Sequence, residues 1–134
     1  MVFNQRQLEE HLDRYLTEVR RKFRVQRAIL YGSYAAGAPR PDSDIDLIVL
    51  SEDFRGMPRL RRHQELGWLA WQARTAYISP LGFTPEEYVT ASPASLLGEV
   101  RESGITVFET TPEKIVAESR ELYGPGSSDI SEKH

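Results

Sequence analysis

The chain has 134 residues, of which 40% are hydrophobic and 28% are charged, and its formal net charge is −3. This length predicts a single domain that buries a core without disulfides. The absence of cysteine excludes a disulfide framework, thiol catalysis and a cysteine-bound metal. The acidic balance disfavours a general nucleic-acid binder. With no signal-like start and no apolar run of ~18 residues, we expect no membrane association and a cytoplasmic protein.

The first fifty residues predict one helix and two strands. Asn4 is a candidate cap for a helix that runs to about residue 22, because apolar residues recur there at helical spacing. Residues 25–31 (VQRAILY) and 45–50 (IDLIVL) are typical of strands, and the second is apolar enough to be fully buried. Between them, residues 33–37 are expected to form a short helical turn, followed by a loop that contains two prolines.

The rest of the chain alternates helices with short strands. Pro58 is expected in the first turn of a helix that ends near residue 74. Residues 75–82 predict a third strand, in which Pro80 indicates an edge position or an early end. The sequence TPEEY has the pattern of a capped helix start. A further helix closed by Gly104, a strand at residues 105–108 and a final helix at residues 111–122 complete the prediction.

The fold class follows from the order of these elements. Gly32 and Ser33 end the first strand, whereas Asp44 stands at the start of the second. If these residues serve one site, the two strands are antiparallel. We therefore predict an α/β (α+β) domain with a mixed, largely antiparallel small sheet flanked by helices. The domain is expected to span residues 1–123, with residues 124–134 as a flexible tail.

Asp44 and Asp46 are the first candidate site residues. They stand two residues apart at the mouth of a buried strand, so both are expected on one face of the sheet. Burying carboxylates is costly unless a partner compensates their charge. A hard cation such as Mg²⁺ takes oxygen ligands and keeps positions for water and substrate phosphates. The spacing therefore predicts a divalent metal site. A turn cap at Asp44, with Asp46 at the sheet edge, is the alternative without function.

Gly32 and Ser33 are the second pair of candidates. A glycine after a strand lets a phosphate approach the backbone. Free amides at the start of the predicted helical turn would meet that phosphate, and the Ser33 hydroxyl would donate one further hydrogen bond. A lone Gly-Ser pair is weak evidence. Its position between two strands, with the aspartate pair following, makes a phosphate site the better interpretation.

The motif GS…SDIDLIV, after RAILY and a leading helix, resembles the signature of the DNA polymerase beta-like nucleotidyltransferase superfamily, and in particular its minimal nucleotidyltransferases. The resemblance covers roughly residues 3–110. It implies a nucleotidyltransferase fold with Gly32 and Ser33 at the nucleotide phosphates. It also implies that Asp44 and Asp46 are catalytic ligands of two Mg²⁺ ions, and that a nucleoside monophosphate, such as AMP, is transferred to a hydroxyl.

The sequence departs from this family at the third carboxylate. That residue is expected on the third strand, where AYISPLGFTPEEY offers Ser79 instead. A serine is a neutral ligand and no base at pH 7, so the second metal site is doubtful. Glu86 and Glu87 follow closely, but the helix start explains them. His63 and Glu65 are expected on the surface.

Three hypotheses about function stay open. The first is an active Mg²⁺-dependent nucleotidyltransferase. The second is a catalytically weakened relative that binds a partner, because the resemblance implies a helical partner with a higher eukaryotes and prokaryotes nucleotide-binding domain, in some pairs as toxin and antitoxin. The third is a nucleotide-binding regulatory module without transfer. The oligomeric state is also open, and a homo-oligomer is one alternative.

Two surface features have alternative interpretations. The basic residues near positions 20–27 and 55–62 are either solvated helix faces or a surface for a polyanion, such as a triphosphate or RNA. Trp68 and Trp71 do not share one narrow stripe with Leu60 and Leu69. Either both tryptophans belong to the core, or one of them is exposed and meets a partner or a second copy.

Overall fold

The computed structural model describes residues 2–110. The predicted helix at residues 111–122, the domain boundary at residue 123 and the predicted tail at residues 124–134 lie outside the described residues. None of the helices between residues 2 and 110 is long and apolar enough to cross a membrane.

The first helix, α1, spans Gln5–Lys22 and begins as predicted. The Asn4 side chain accepts a hydrogen bond from the Gln7 backbone, while the Gln7 side chain accepts one from the Asn4 backbone, so a reciprocal capping box fixes the helix start. The buried residues of the helix form one stripe: Leu8, Leu12, Tyr15, Leu16 and Val19. The basic residues of the last turn favourably face the negative end of the helix dipole.

Three further α-helices follow in the part of the chain that the structure describes. Helix α2 spans Arg59–Gln72, and Pro58 is the residue before the helix and not part of its first turn. Helix α3 spans Pro85–Thr90 with the predicted capping box, in which Thr84 and Glu87 bond to each other's backbone. Helix α4 spans Leu96–Ser103 and ends at Gly104. A single 3-10 turn, Glu52–Phe54, precedes α2.

Within residues 2–110, four strands form one mixed sheet in the order β3-β2-β1-β4. Strands β1 (Val25–Tyr31) and β2 (Ile45–Ser51) are antiparallel. Strand β3 (Ile78–Phe83) lies parallel to β2, at an edge of the sheet as Pro80 indicated. Strand β4 (Ile105–Glu109) pairs antiparallel with β1 at the other edge. The predicted mixed, largely antiparallel sheet is confirmed.

The third strand begins later than predicted. Residues 75–77 do not extend the strand, because α2 ends in a tight reversal. The Thr75 N–H donates to the Ala70 carbonyl, and the Arg74 N–H donates to the Trp71 carbonyl, which is the Schellman pattern of a helix C-terminus. Thr75 is fully buried, and its hydroxyl also bonds to the Ala70 carbonyl. The β-branched and aromatic residues of this segment are typical of a strand, so the sequence pattern predicted a strand where the chain leaves a helix.

Helices cover both faces of the sheet. The larger core lies on the side of α1 and α2, where Leu8, Leu47 and Leu66 are among its buried members. The smaller core lies on the other side, where Ile29 and Ile48 pack with residues of α3 and α4. Adjacent residues of β1 and β2 thus enter opposite cores, as the alternation of side chains along a strand requires.

Candidate functional site

The end of β1 and the start of β2 meet at one edge of the sheet. Because these strands are antiparallel, Tyr31, the last residue of β1, is the Cα partner of Asp46. Gly32 and Ser33 follow Tyr31 directly, and Asp44 precedes β2 by one residue. The fold therefore brings together the two halves of the motif, which ten residues separate in sequence.

Gly32 lies directly against Asp46. Its φ is +77°, a left-handed conformation that side-chain-bearing residues rarely adopt. A Cβ atom built on Gly32 would collide with Oδ2 of Asp46 and would lie 3.2 Å from its Cγ. Both the backbone angle and the space beside the carboxylate therefore require glycine here.

Residues 33–37 form a single turn, as expected, and no regular helix. The turn is held by bonds from the Ala36 N–H to the Gly32 carbonyl, at 3.0 Å, and from the Ala38 N–H to the Ser33 carbonyl, at 3.0 Å. Because the chain does not continue beyond one turn, this segment has no helix dipole to attract an anion. Among residues 2–110, the backbone N–H groups of Ser33, Tyr34 and Ala35 have no acceptor. These donors remain available to an anion.

The two aspartates differ in their surroundings. Asp44 is exposed and Asp46 is half-buried. Burial, and to a lesser extent the charge of Asp44, raise the pKa of Asp46 above its usual value. Within the described part of the chain, neither carboxylate takes part in a hydrogen bond or an ion pair. The two acids therefore repel each other at neutral pH with no cation of the protein between them.

Tyr31 is a site neighbour that the sequence analysis did not single out. Burial and the charge of Asp46 raise the pKa of its phenol to about 12. The phenol therefore stays protonated at neutral pH and is no candidate base. Its position directly before Gly32 is the sequence signal that could have identified Tyr31 as a site neighbour, because the last residue of a strand lies next to the turn that follows.

Ser79 lies at the position that faces Asp46 on the neighbouring strand. The two residues are Cα partners in the parallel ladder between β2 and β3. A carboxylate at position 79 would share a face of the sheet with Asp46. Within residues 2–110, no group of three or more histidine, aspartate or glutamate side chains could hold a metal. The described site thus offers two charged oxygen ligands and not three.

The two glutamates after β3 have structural roles. Oε1 of Glu87 accepts a hydrogen bond from Nη1 of Arg62 at 2.7 Å, and that arginine is only 4% exposed. The hydrogen bond from Arg62 is the main reason why the pKa of Glu87 lies below its usual range. Glu86 pairs with Arg55 at 3.0 Å. Both glutamates are thus engaged in ion pairs with arginines of the fold.

The basic residues are largely engaged with neighbouring groups. Arg61 pairs with Glu65, which also binds Lys22 at 2.9 Å. Arg24 pairs with Asp53 at 2.6 Å, and the Arg20 guanidinium lies over the Phe108 ring. These contacts favour the interpretation as helix and strand surfaces over that of a surface for a polyanion.

The donor set fits one hard cation. Asp44 and Asp46 supply charged oxygen atoms, which Mg²⁺ prefers, and the carboxylate of Asp46 borders the space that a side chain at position 32 would fill. The N–H groups of Ser33, Tyr34 and Ala35 follow Gly32 directly in the chain. Such an arrangement can hold a metal-bound phosphate between carboxylates and amides.

The sequence of this chain matches the model of one protein family. The model described as nucleotidyltransferase domain matches residues 12–89, more than half of the chain. No curated protein gives a significant match.

Several solved structures share the fold. A chain from a crystal structure of a toxin–antitoxin with AMP-PNP is 21% identical, with 92% of this chain and 96% of that chain covered and a TM-score of 0.55. A candidate nucleotidyltransferase from Sulfolobus solfataricus is 14% identical, with coverages of 75% and 79% and a TM-score of 0.55. A double aspartate-to-glutamate variant of the toxin–antitoxin MntA–HpeT is 20% identical, with coverages of 92% and 96% and a TM-score of 0.54.

Proposed function

Because the chain belongs to the nucleotidyltransferase domain family, we propose that it binds a nucleoside triphosphate with Mg²⁺ and transfers a nucleoside monophosphate to a hydroxyl of a protein or small molecule. The observation that carries the proposal is the direct approach of Gly32 to the Asp46 carboxylate. This contact places the turn with the free N–H groups next to the Asp46 carboxylate, at the edge of the sheet.

Each of the four residues has a role in this proposal. Asp44 and Asp46 would hold Mg²⁺, which neutralises phosphate charge and polarises the reacting oxygen atoms when bound. Gly32 leaves space for a phosphate beside Asp46. Ser33 would donate its hydroxyl, and the turn its N–H groups, to the phosphate oxygens.

The proposed reaction balances without a redox step. The acceptor hydroxyl oxygen attacks the α-phosphorus of the triphosphate, the bond from this phosphorus to the bridging oxygen breaks, and pyrophosphate leaves. The hydroxyl proton must go to a base. Since position 79 is a serine and Glu86 and Glu87 are engaged elsewhere, water or the acceptor itself takes that proton. We therefore propose slow transfer.

A second candidate function is favoured by Ser79. A neutral residue opposite Asp46 weakens a second metal site, so a module that binds a nucleotide or a partner, with little or no catalysis, also fits. This module would be the antitoxin-like half of a two-protein system. Structurally similar chains occur in toxin–antitoxin crystals, one of them with AMP-PNP. The proposed partner is a helical protein with a higher eukaryotes and prokaryotes nucleotide-binding domain.

The test is incubation of the full chain with each α-labelled nucleoside triphosphate and Mg²⁺, with and without the purified product of the adjacent gene. Transfer is read as label retained on protein, and binding is measured by calorimetry. The transferase proposal expects label that depends on both Asp44 and Asp46. Ser33→Ala is expected to weaken triphosphate binding by about 0.5–1.5 kcal/mol, or up to about 3 kcal/mol if its partner is charged.

The two candidates give different results. Binding without label retained on any acceptor favours the binding module. Label that persists in Asp46→Asn contradicts the site assignment. Equal triphosphate affinity in Mg²⁺ for the wild type and Asp46→Asn contradicts the transferase and the nucleotide-binding form of the module, because both require a metal-bound nucleotide at this pair. It leaves the partner-binding form of the module.

A further inference from the structure

Helix α2 has a second apolar face that no other part of residues 2–110 covers. Leu60, Trp68 and Trp71 are 68%, 54% and 64% exposed. With 3.6 residues per turn, these positions and Gly67 fall on the side of the helix opposite the buried residues. We call this set, Leu60, Gln64, Gly67, Trp68 and Trp71, the outer face of α2. Both tryptophans are exposed, although only one exposed tryptophan was considered from the sequence.

The two indole rings form a flat, preorganised surface. Their centroids are 5.1 Å apart and their planes differ by 21°, so the rings stack on each other. Stacking holds Trp68 and Trp71 in place before any partner binds, which lowers the entropy lost on association. Tryptophan is also the residue type most enriched among residues that dominate binding energy.

Gly67 has no packing role within the described domain. A glycine in a helix interior destabilises the helix relative to alanine. A Cβ atom built on Gly67 would meet nothing within 4 Å. The domain therefore has room for a more stabilising residue at this position. The open space at Gly67 is instead suited to the close approach of another helix.

Arg74 is a second locally unfavourable residue at the same end of α2. It follows the helix with φ of 60°. This is the left-handed conformation, which glycine adopts at lower energetic cost than any residue with a side chain. The guanidinium makes no hydrogen bond or ion pair with any residue between 2 and 110. Arg74 lines one shallow groove with Trp71 and the exposed Tyr77. Its charge is therefore directed to solvent beside the indoles.

The charges around the outer face are unbalanced. Helix α2 and the turn after it carry four arginines. Arg61 pairs with Glu65, and the buried Arg62 pairs with Glu87. Within residues 2–110, Arg59 and Arg74 pair with no acid, and they form a cationic rim at the two ends of the outer face. A symmetric pair of copies would bring this cationic rim against itself. A different protein with carboxylates around its apolar surface would match both the indoles and the rim.

We propose that the outer face of α2 binds an apolar helix of another protein whose flanks carry carboxylates. None of the residues of this face belongs to the nucleotide site, so the inference goes beyond the proposed function and stands without it. Gly67 and Arg74 each lower the stability of the free domain. This one contact would explain why both residues are present.

The first experiment identifies the occupant in the cells that contain the gene. The full chain carries the photo-crosslinker p-benzoylphenylalanine in place of Gln64, at the centre of the face, or in place of Glu102, which is exposed on α4. We expect one protein to be cross-linked at position 64 and not at 102. The double variant Trp68→Ser/Trp71→Ser, in the same background, is expected to lose it.

The second experiment measures the contact with the purified, identified protein. In calorimetry, Trp68→Ser and Trp71→Ser are each expected to raise Kd by about 30-fold or more, and added salt is expected to raise Kd further. Because both indoles are exposed, the variants should retain the circular dichroism spectrum and triphosphate affinity of the wild type. A loss of triphosphate binding would therefore concern the nucleotide site alone. An unchanged affinity for the identified protein in the tryptophan variants would concern the outer face alone.

Gly67→Ala and Arg74→Gly separate a binding role from a structural one. Each is expected to raise the melting temperature of the free chain, by about 2–5 °C for the alanine change, while it raises Kd at least several-fold. A cross-link to a second copy of the chain or to nucleic acid overturns the proposal. So does the absence of a specific cross-link at position 64, or unchanged affinity in both tryptophan variants.

Discussion

Asp46 on β2 and Ser79 on β3 are paired in register across the parallel ladder. This pairing places Ser79 directly beside the candidate metal ligand Asp46, a position that sequence spacing alone could not establish. A residue at position 79 lies on the same face of the sheet as Asp46 and can add to or withhold charge from the same site. The chemistry of the domain should therefore respond strongly to a change at this position.

Ser79→Asp is expected to tighten Mg²⁺ binding, because it adds a third carboxylate beside Asp46. If the site is a transferase, general-base catalysis at this position would raise the transfer rate by about 10²–10⁴-fold. Titration calorimetry with Mg²⁺, followed by the α-label assay, checks both effects. Ser79→Asn is the matched control, since it has the same shape without the charge. Equal Mg²⁺ affinity in both variants would show that position 79 does not face the metal.

Asp46→Asn is expected to stabilise the metal-free domain at neutral pH. Burial and Asp44 raise the pKa of Asp46, so its ionised form disfavours the folded state. This cost is full above the raised pKa and disappears as the pH falls through it, so the advantage of asparagine should shrink in acid. Thermal melts from pH 3 to pH 8 measure the difference.

Mg²⁺ gives that substitution a second readout. Added Mg²⁺ should raise the melting temperature of the wild type, since binding to the folded state stabilises it, and it should leave Asp46→Asn nearly unchanged. An equal rise in both proteins would remove Asp46 from the metal site.

Gly32→Ala is expected to abolish or strongly weaken Mg²⁺–triphosphate binding, because its Cβ would collide with the Asp46 carboxylate. Gly37→Ala is a matched control. Gly37 has nearly the same φ, +75°, but a Cβ there meets nothing within 4 Å. The backbone strain is thus common to both variants, and only the first disturbs the carboxylate. Similar triphosphate affinities in calorimetry would contradict the role of Gly32.

Glu87→Gln is expected to destabilise the fold by about 1.5–3 kcal/mol, the usual effect of a hydrogen bond between charged groups. It leaves the buried Arg62 without its counter-charge. Glu86→Gln, whose partner Arg55 is exposed, should change stability by less than about 1 kcal/mol. Urea unfolding checks both values. A specific loss of activity in either folded variant would reveal the third acid that Ser79 does not supply.

Local sequence signals predicted the parts of the fold that depend on local physics. The residues of β1 were predicted without error, and the caps at Asn4 and Thr84 followed from hydrogen bonds over three residues. The antiparallel arrangement of β1 and β2 came from the assumption that Gly32 and Asp44 share a site. The strand and the caps needed no knowledge of distant contacts, whereas the strand direction needed this one assumed contact.

Long-range packing decided the rest. Whether Trp68 is covered depends on which elements reach α2, and the sequence of the helix does not contain that information. The pair between Arg62 and Glu87 joins residues 25 positions apart. The register that sets Ser79 opposite Asp46 depends on how α2 returns the chain to the sheet. The raised pKa values of Tyr31 and Asp46 likewise follow from tertiary burial.

The order of strands has a consequence for synthesis of the chain on the ribosome. Strand β1 is made early, and one of its edges is paired as soon as β2 emerges. Its other edge pairs only with β4, at residues 105–109. The four candidate site residues are therefore made while β1 still has an open edge, which is a template for pairing with other chains. A truncation before Ile105 would keep the whole motif and expose that edge permanently, so it should give an insoluble product.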